Sequence, residues 1–144
     1  MTVVVPYDSS PRSRAALRRA DEFTDRTETV IAVTVIPNGN DRYARERGWL
    51  GEGESFDPEE VVRRLREEIR EIDPDATFEY VVTGRYAQPG QIASKIREFA
   101  KDRDARLVVL GSENAGRIVS NVSSVASTVT ADSAYDVLIV RQSE

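Results

Sequence analysis

The sequence predicts a single α/β domain spanning residues 1–144, a doubly wound, five-stranded parallel sheet with helices on both faces. Three observations carry this expectation. Short β-branched runs alternate with helical stretches in the order β-α-β-α-β-α-β-α-β, which implies parallel strands joined by right-handed crossovers. The run TVIAVTVI at 29–36 is almost continuously apolar, as a strand must be when helices cover both its faces. No linker-like stretch and no internal repeat divides the 144 residues, the size of one ordinary domain.

TVVVP at 2–6 reads as the first strand, stopped by Pro6. Ser9-Ser10-Pro11 opens a helix, since proline is tolerated in a first turn, and Ala15, Ala16, Leu17, Ala20 and Phe23 give it an apolar stripe to about Thr24. After the strand at 29–36, residues 37–57 are rich in Gly, Asn, Arg and Glu and lack steady periodicity. Long connections of that kind are uncommon unless functional or mobile. Residues 38–56, with Tyr43, Trp49 and Phe56, are therefore expected to be the most mobile part of the chain and to fold over the strand ends. Asp57-Pro58-Glu59-Glu60 starts the next helix, with proline and acids in its first turn. Val61, Val62, Leu65, Ile69 and Ile72 lie on its inner side, and RRLREEIREID reads as a solvated, ion-paired face. TFEYVVT at 77–83 is a strand, and 88–103 a helix with Ile92, Ile96, Phe99 and Ala100 inward. A strand at 106–111, a helix at 120–132 and a last strand at 136–141 complete the order.

Composition limits the chemistry. The chain is 40% hydrophobic and 31% charged, a soluble globular balance rather than a disordered one. A net charge of −5 opposes nucleic acid as a partner, because phosphate backbones need a basic face. No apolar run approaches the ~20 residues of a membrane span, and MTVVVPYDSS reads as a strand rather than a leader, so a cytoplasmic protein is expected. With no cysteine and no histidine, the usual zinc, copper, haem and iron–sulfur ligand sets are missing, as are thiol nucleophiles and imidazole bases. Carboxylates, hydroxyls, arginines and backbone amides remain.

In an open parallel sheet, ligands bind beyond the carboxyl ends of strands where the strand order reverses. Three strand ends carry suggestive residues. Asp8 follows the first strand, where it can accept hydrogen bonds from a ribose or an amino group, or simply serve as a turn or capping residue. Val35 closes the second strand, where a valine is usually a core residue. Gly111 closes the fourth and begins GSENAGRIVSNVSSVAS, in which glycine permits close approach to a phosphate and Ser123 and Ser124 open a helix. Serine and asparagine are also favoured helix caps without any ligand, so both readings stand.

Four pieces of the chain, in order, resemble the universal stress protein family: VVVPYDSSPRSRAALRRA, TVIAVTVIP, PGQIASKIREFAKDRDARLVVLGS and SSVASTVTADSAYDVLIVR. The resemblance implies a Rossmann-like sheet in the order 3-2-1-4-5. It also implies an adenine nucleotide (AMP, ADP or ATP, with magnesium if ATP) near Pro6, Asp8 and Val35, its phosphates near Gly111, Ser124 and Val125. Nucleotide-binding members carry Gly, two residues, Gly, nine residues, Gly and Ser or Thr. Here Gly111 and Ser124 match the ends, Asn114 and Ser123 replace the inner glycines, and the interval between those two is one residue short. Asparagine tolerates the left-handed conformation, but a serine side chain and a shorter loop weaken the outer phosphate contacts.

The family's strand order places the last strand at a sheet edge, which implies a homodimer paired through residues 136–141. Two readings follow: a stress-response protein that binds an adenine nucleotide through a partly degenerate loop, or a dimeric interaction module that no longer binds one. Enzymes of similar architecture fit less well. A receiver domain needs an acidic pair after the first strand and a lysine after the last, a pyrophosphatase a Ser-Gly-Gly loop, and a nucleotidyltransferase a His-x-Gly-His motif, none of which is present. Slow hydrolysis of bound ATP stays open, although no base is placed for it.

Overall fold

The computed structural model describes residues 1–111 and 134–141. Its sheet consists of β1 (Thr2–Pro6), β2 (Thr29–Pro37), β3 (Thr77–Thr83), β4 (Ala105–Gly111) and β5 (Asp136–Val140), all parallel, in the order β3-β2-β1-β4-β5. The expected order and class are both found. The helix expected at 120–132 lies outside the described residues.

Alternation along β1 sorts the core into two layers. Val3, Val5 and Tyr7 face one side, packed with Leu17 of α1 (Pro11–Ala20) and with Leu65 and Ile69 of α3 (Pro58–Ile72). Val4 faces the other side with Val33, Val108 and Leu110, covered by Ile96 and Phe99 of α4 (Pro89–Asp102). A short helix, α2 (Asp41–Glu46), interrupts the long connection after β2. Ser10 caps α1 by accepting the Ser13 N–H at 3.2 Å, with Pro11 in the first turn, and Asp57 caps α3 by accepting from Glu59 N–H at 3.1 Å. No helix among the described residues is long and apolar enough to cross a membrane.

The α1 helix ends four residues before the sequence suggests. Ala20 passes into a 3-10 turn over Asp21–Phe23, which leaves Phe23 exposed instead of on the buried stripe. Asp21 lies beside Asp73, the buried residue that ends α3, so two helix carboxyl ends meet there with two carboxylates. Helix carboxyl ends already carry partial negative charge, which makes the pairing unfavourable when both acids are ionised. Asp73 Oδ2 is buried without a donor among the described residues, while its Oδ1 accepts the Asp75 N–H at 3.0 Å. Desolvation raises the Asp21 carboxyl above its ordinary range, and repulsion from and hydrogen bonding to Asp73 raise it further. A raised carboxyl contributes stability in full below its unfolded value and loses it as pH climbs through the folded one. Asp21→Asn should therefore unfold at a higher temperature than the native chain at pH 7, with the gap closing in acid. A gap independent of pH would show that ionisation of Asp21 is not what opposes folding there.

Candidate functional site

The carboxyl ends of β1, β2 and β4 form one step in the sheet. Pro6 pairs with Val33, yet β2 continues to Pro37 with only β3 beside it, an overhang of about 13 Å at the rise of a strand. Tyr7 extends the ladder one residue, donating its N–H to the Val33 carbonyl at 2.8 Å and accepting the Thr34 hydroxyl at 2.8 Å. Backbone polar groups alternate sides along a strand. Val35, two residues beyond Val33, therefore turns its own N–H and carbonyl into the gap past the end of β1. Its side chain points elsewhere, 5% exposed and packed with Val33 and Ile96 in the α4 layer. Pro6 is buried at the floor of the step.

Asp8 stands at the edge of this gap. Its Oδ1 accepts the Ser10 N–H at 3.0 Å, the bond expected of a turn residue. The side chain is still partly open to solvent. A carboxylate offers about four lone-pair sites, so the turn and a ligand can be served together. The two readings of Asp8 are compatible.

The adjoining Ser9 has φ = +69°, a conformation that side chains rarely adopt. It is held by bonds from three elements. Its hydroxyl donates to Glu68 Oε1 of α3 at 2.8 Å and accepts the Trp49 indole N–H at 2.9 Å, and its carbonyl accepts Arg14 Nε of α1 at 3.1 Å. The same Glu68 oxygen accepts the Tyr7 hydroxyl at 2.7 Å and Arg14 Nη2 at 3.1 Å. Burial holds the Tyr7 phenol well above its usual range, and its bond to Glu68 adds to this, so Tyr7 remains a donor.

Asp8 is conspicuous in the sequence, but the side chains that support it are not. Glu68 lies within RRLREEIREID, which reads as a solvated face, and most of that run behaves so: Arg63 bridges Glu60 and Glu67 at the surface. Only its place on the helix, in line with Leu65 and Ile69, turns Glu68 toward the strand ends.

The connection after β2 also departs from expectation. The segment expected to be the most mobile is pinned at its centre, because Trp49 is fully buried in the α1/α3 layer. Arg64 Nη1 of α3 donates to the Trp49 carbonyl at 2.8 Å, and its Nη2 pairs with Glu54 at 3.1 Å. The Tyr43 ring lies 5.7 Å from that of Trp49, and the Arg47 guanidinium lies over Tyr43 at 3.4 Å. Burial raises the Tyr43 phenol, the Arg47 guanidinium opposes this, and the Asp8 charge adds to it. The segment touches the strand ends through the bond from Trp49 to Ser9, just past β1.

Gly111 ends β4 against α1. A Cβ there would meet the Arg12 carbonyl carbon at 2.5 Å, its oxygen at 2.7 Å and Ser13 N at 2.7 Å. The glycine that sequence reading assigned to phosphate approach is required by this backbone contact in any case. Arg12 Nε donates to the Arg141 carbonyl at 2.9 Å, which ties the same turn of α1 to the end of β5. The structure thus brings Pro6, Asp8, Val35 and Gly111 to neighbouring strand ends. Asn114, Ser123, Ser124 and Val125 lie outside the described residues.

Across residues 1–141 the sequence matches the universal stress protein family. The chain belongs to that family. Similar folds include a universal stress protein in complex with cAMP, which is 23% identical with a TM-score of 0.62 over 98% of this chain and 96% of that one. The protein MJ0577 is 20% identical, with a TM-score of 0.64 over 98% and 95%. A universal stress protein from Archaeoglobus fulgidus is 16% identical, with a TM-score of 0.60 over 98% of this chain and 44% of its own. At these identities the likeness concerns the fold. No curated protein matches the sequence. Among the described residues of this universal stress protein, no group of acids or histidines is arranged to hold a metal.

Proposed function

We propose that this universal stress protein is a cytoplasmic stress-response protein that binds an adenine nucleotide at the carboxyl ends of β1, β2 and β4. The observation that carries the reading is the open Asp8 carboxylate beside the backbone N–H and carbonyl of Val35, which β1 leaves uncovered. An acceptor for ribose hydroxyls next to a backbone donor–acceptor pair suits the edge of a purine and its sugar. The family match and the fold shared with a cAMP-bound universal stress protein support it. Phosphates would extend toward Gly111, Asn114 and the amides of Ser123, Ser124 and Val125, and magnesium would accompany ATP. With its inner glycines replaced, the loop favours AMP and ADP nearly as much as ATP.

Titration calorimetry with the three nucleotides tests this. Asp8→Ala should weaken all of them alike, by roughly 10- to 100-fold for a charge-assisted bond worth about 1.5–3 kcal/mol. Absence of heat with any adenine nucleotide at millimolar levels would leave the alternative, a dimeric interaction module without a ligand.

We also propose a homodimer through residues 136–141. β5 occupies one edge of the sheet, and Val137, Leu138 and Ile139 are only partly covered. Light scattering should give twice the chain mass at micromolar concentration, and Leu138→Pro should halve it. A dimer that survives this change would implicate another surface, such as the opposite edge strand β3 with its exposed Tyr80 and Val82.

A further inference from the structure

We propose that nucleotide binding at Asp8 and docking of the 41–56 segment are coupled through Ser9, so that each stabilises the other. The inference rests on the nucleotide reading and adds a means of regulating that site. Asp8 is placed by the left-handed turn at Ser9. The turn is fastened by the Asp8–Ser10 bond, by Arg14 of α1 and by the hydroxyl of Ser9, which alone reaches across to α3 and the segment: it donates to Glu68 at 2.8 Å and receives the Trp49 indole N–H at 2.9 Å. Trp49 is the central anchor of the segment, and Tyr43 of the same segment feels the Asp8 charge. A detached segment leaves Ser9 with one fewer restraint in a conformation that serine seldom holds, and the direction of the neighbouring carboxylate is then held less firmly. A ligand that requires that direction selects the docked form. Linkage is reciprocal: docking favours the ligand by the same factor by which the ligand favours docking.

The only tryptophan reports the docked state. AMP should reduce acrylamide quenching of Trp49 in the native chain. Ser9→Ala should increase quenching without ligand and weaken AMP by about fivefold or more, a typical coupling. Trp49→Phe keeps an aromatic ring, loses the indole donor and should weaken AMP similarly by calorimetry. Arg106→Gln removes the ion pair with Glu28 at the opposite end of the sheet. It controls for general destabilisation and should leave AMP affinity unchanged. Native-level AMP affinity in both Ser9→Ala and Trp49→Phe would overturn the coupling alone. Equal weakening in Arg106→Gln would overturn it too, by reducing the effect to stability. A native chain that binds no AMP would overturn the functional reading and the coupling together.

Discussion

Trp49→Ala is expected to lower the unfolding free energy by about 3–5 kcal/mol, the usual range for emptying a large aromatic site in a core. The ring is fully buried among residues of α1, α3 and β1, and no small movement of the exposed connection around it can refill that volume. The Ser9 hydroxyl would also lose its donor, and Tyr43 its ring neighbour. Trp49→Phe should cost far less, since it retains most of the packing and forfeits chiefly one hydrogen bond of ~1 kcal/mol. Chemical denaturation followed by circular dichroism checks both, and equal midpoints for the two variants would mean that the ring's bulk is not what matters.

Gly111→Ala should be the most damaging single-methyl change at the strand ends, costing about 1–3 kcal/mol or more. All three of the nearest atoms to the added methyl belong to the main chain of Arg12 and Ser13, so no side chain can swing aside. The first turn of α1 would have to lift from β4, and Arg12 would then lose its bond to the Arg141 carbonyl. The loss should be equally large without nucleotide, which separates this role from ligand approach. A variant as stable as the native chain would show that α1 sits less tightly on β4 than these distances require.

What the sequence revealed and what it hid divide along a physical line. Strands such as TVIAVTVIP and helices such as 58–72 announce themselves through local composition and periodicity; alternation implies that the strands are parallel, and the family resemblance supplies their order. Asp8 and Gly111 were legible as candidates because topology makes strand ends important, whereas Val35, an ordinary core valine by itself, stood out only through the family resemblance. The role of Glu68 was not, because its partners Tyr7 and Ser9 lie 61 and 59 positions away. Trp49 was misread for the same reason: its seat is built from α1, α3 and β1, while its neighbours in sequence are glycines and charges that look like free loop. The early end of α1 is a third case, since Phe23 fits the helical stripe and the departure occurs where Asp21 meets Asp73.

The position of β1 has a consequence for how the chain assembles. It precedes every other strand in sequence, yet it lies third in the sheet, paired with β2 on one side and β4 on the other. The second partnership, Val3 with Leu107, closes only after about a hundred further residues have been made. Until then a folding intermediate of β3-β2-β1 would present Val3, Val4 and Val5 along an unpaired apolar edge. Such edges recruit other strands, and long-range parallel pairing is slow to form. Aggregation during refolding should therefore depend on how soon β4 arrives, and variants that weaken α4 or β4 should precipitate more readily than those that weaken β3 to the same degree.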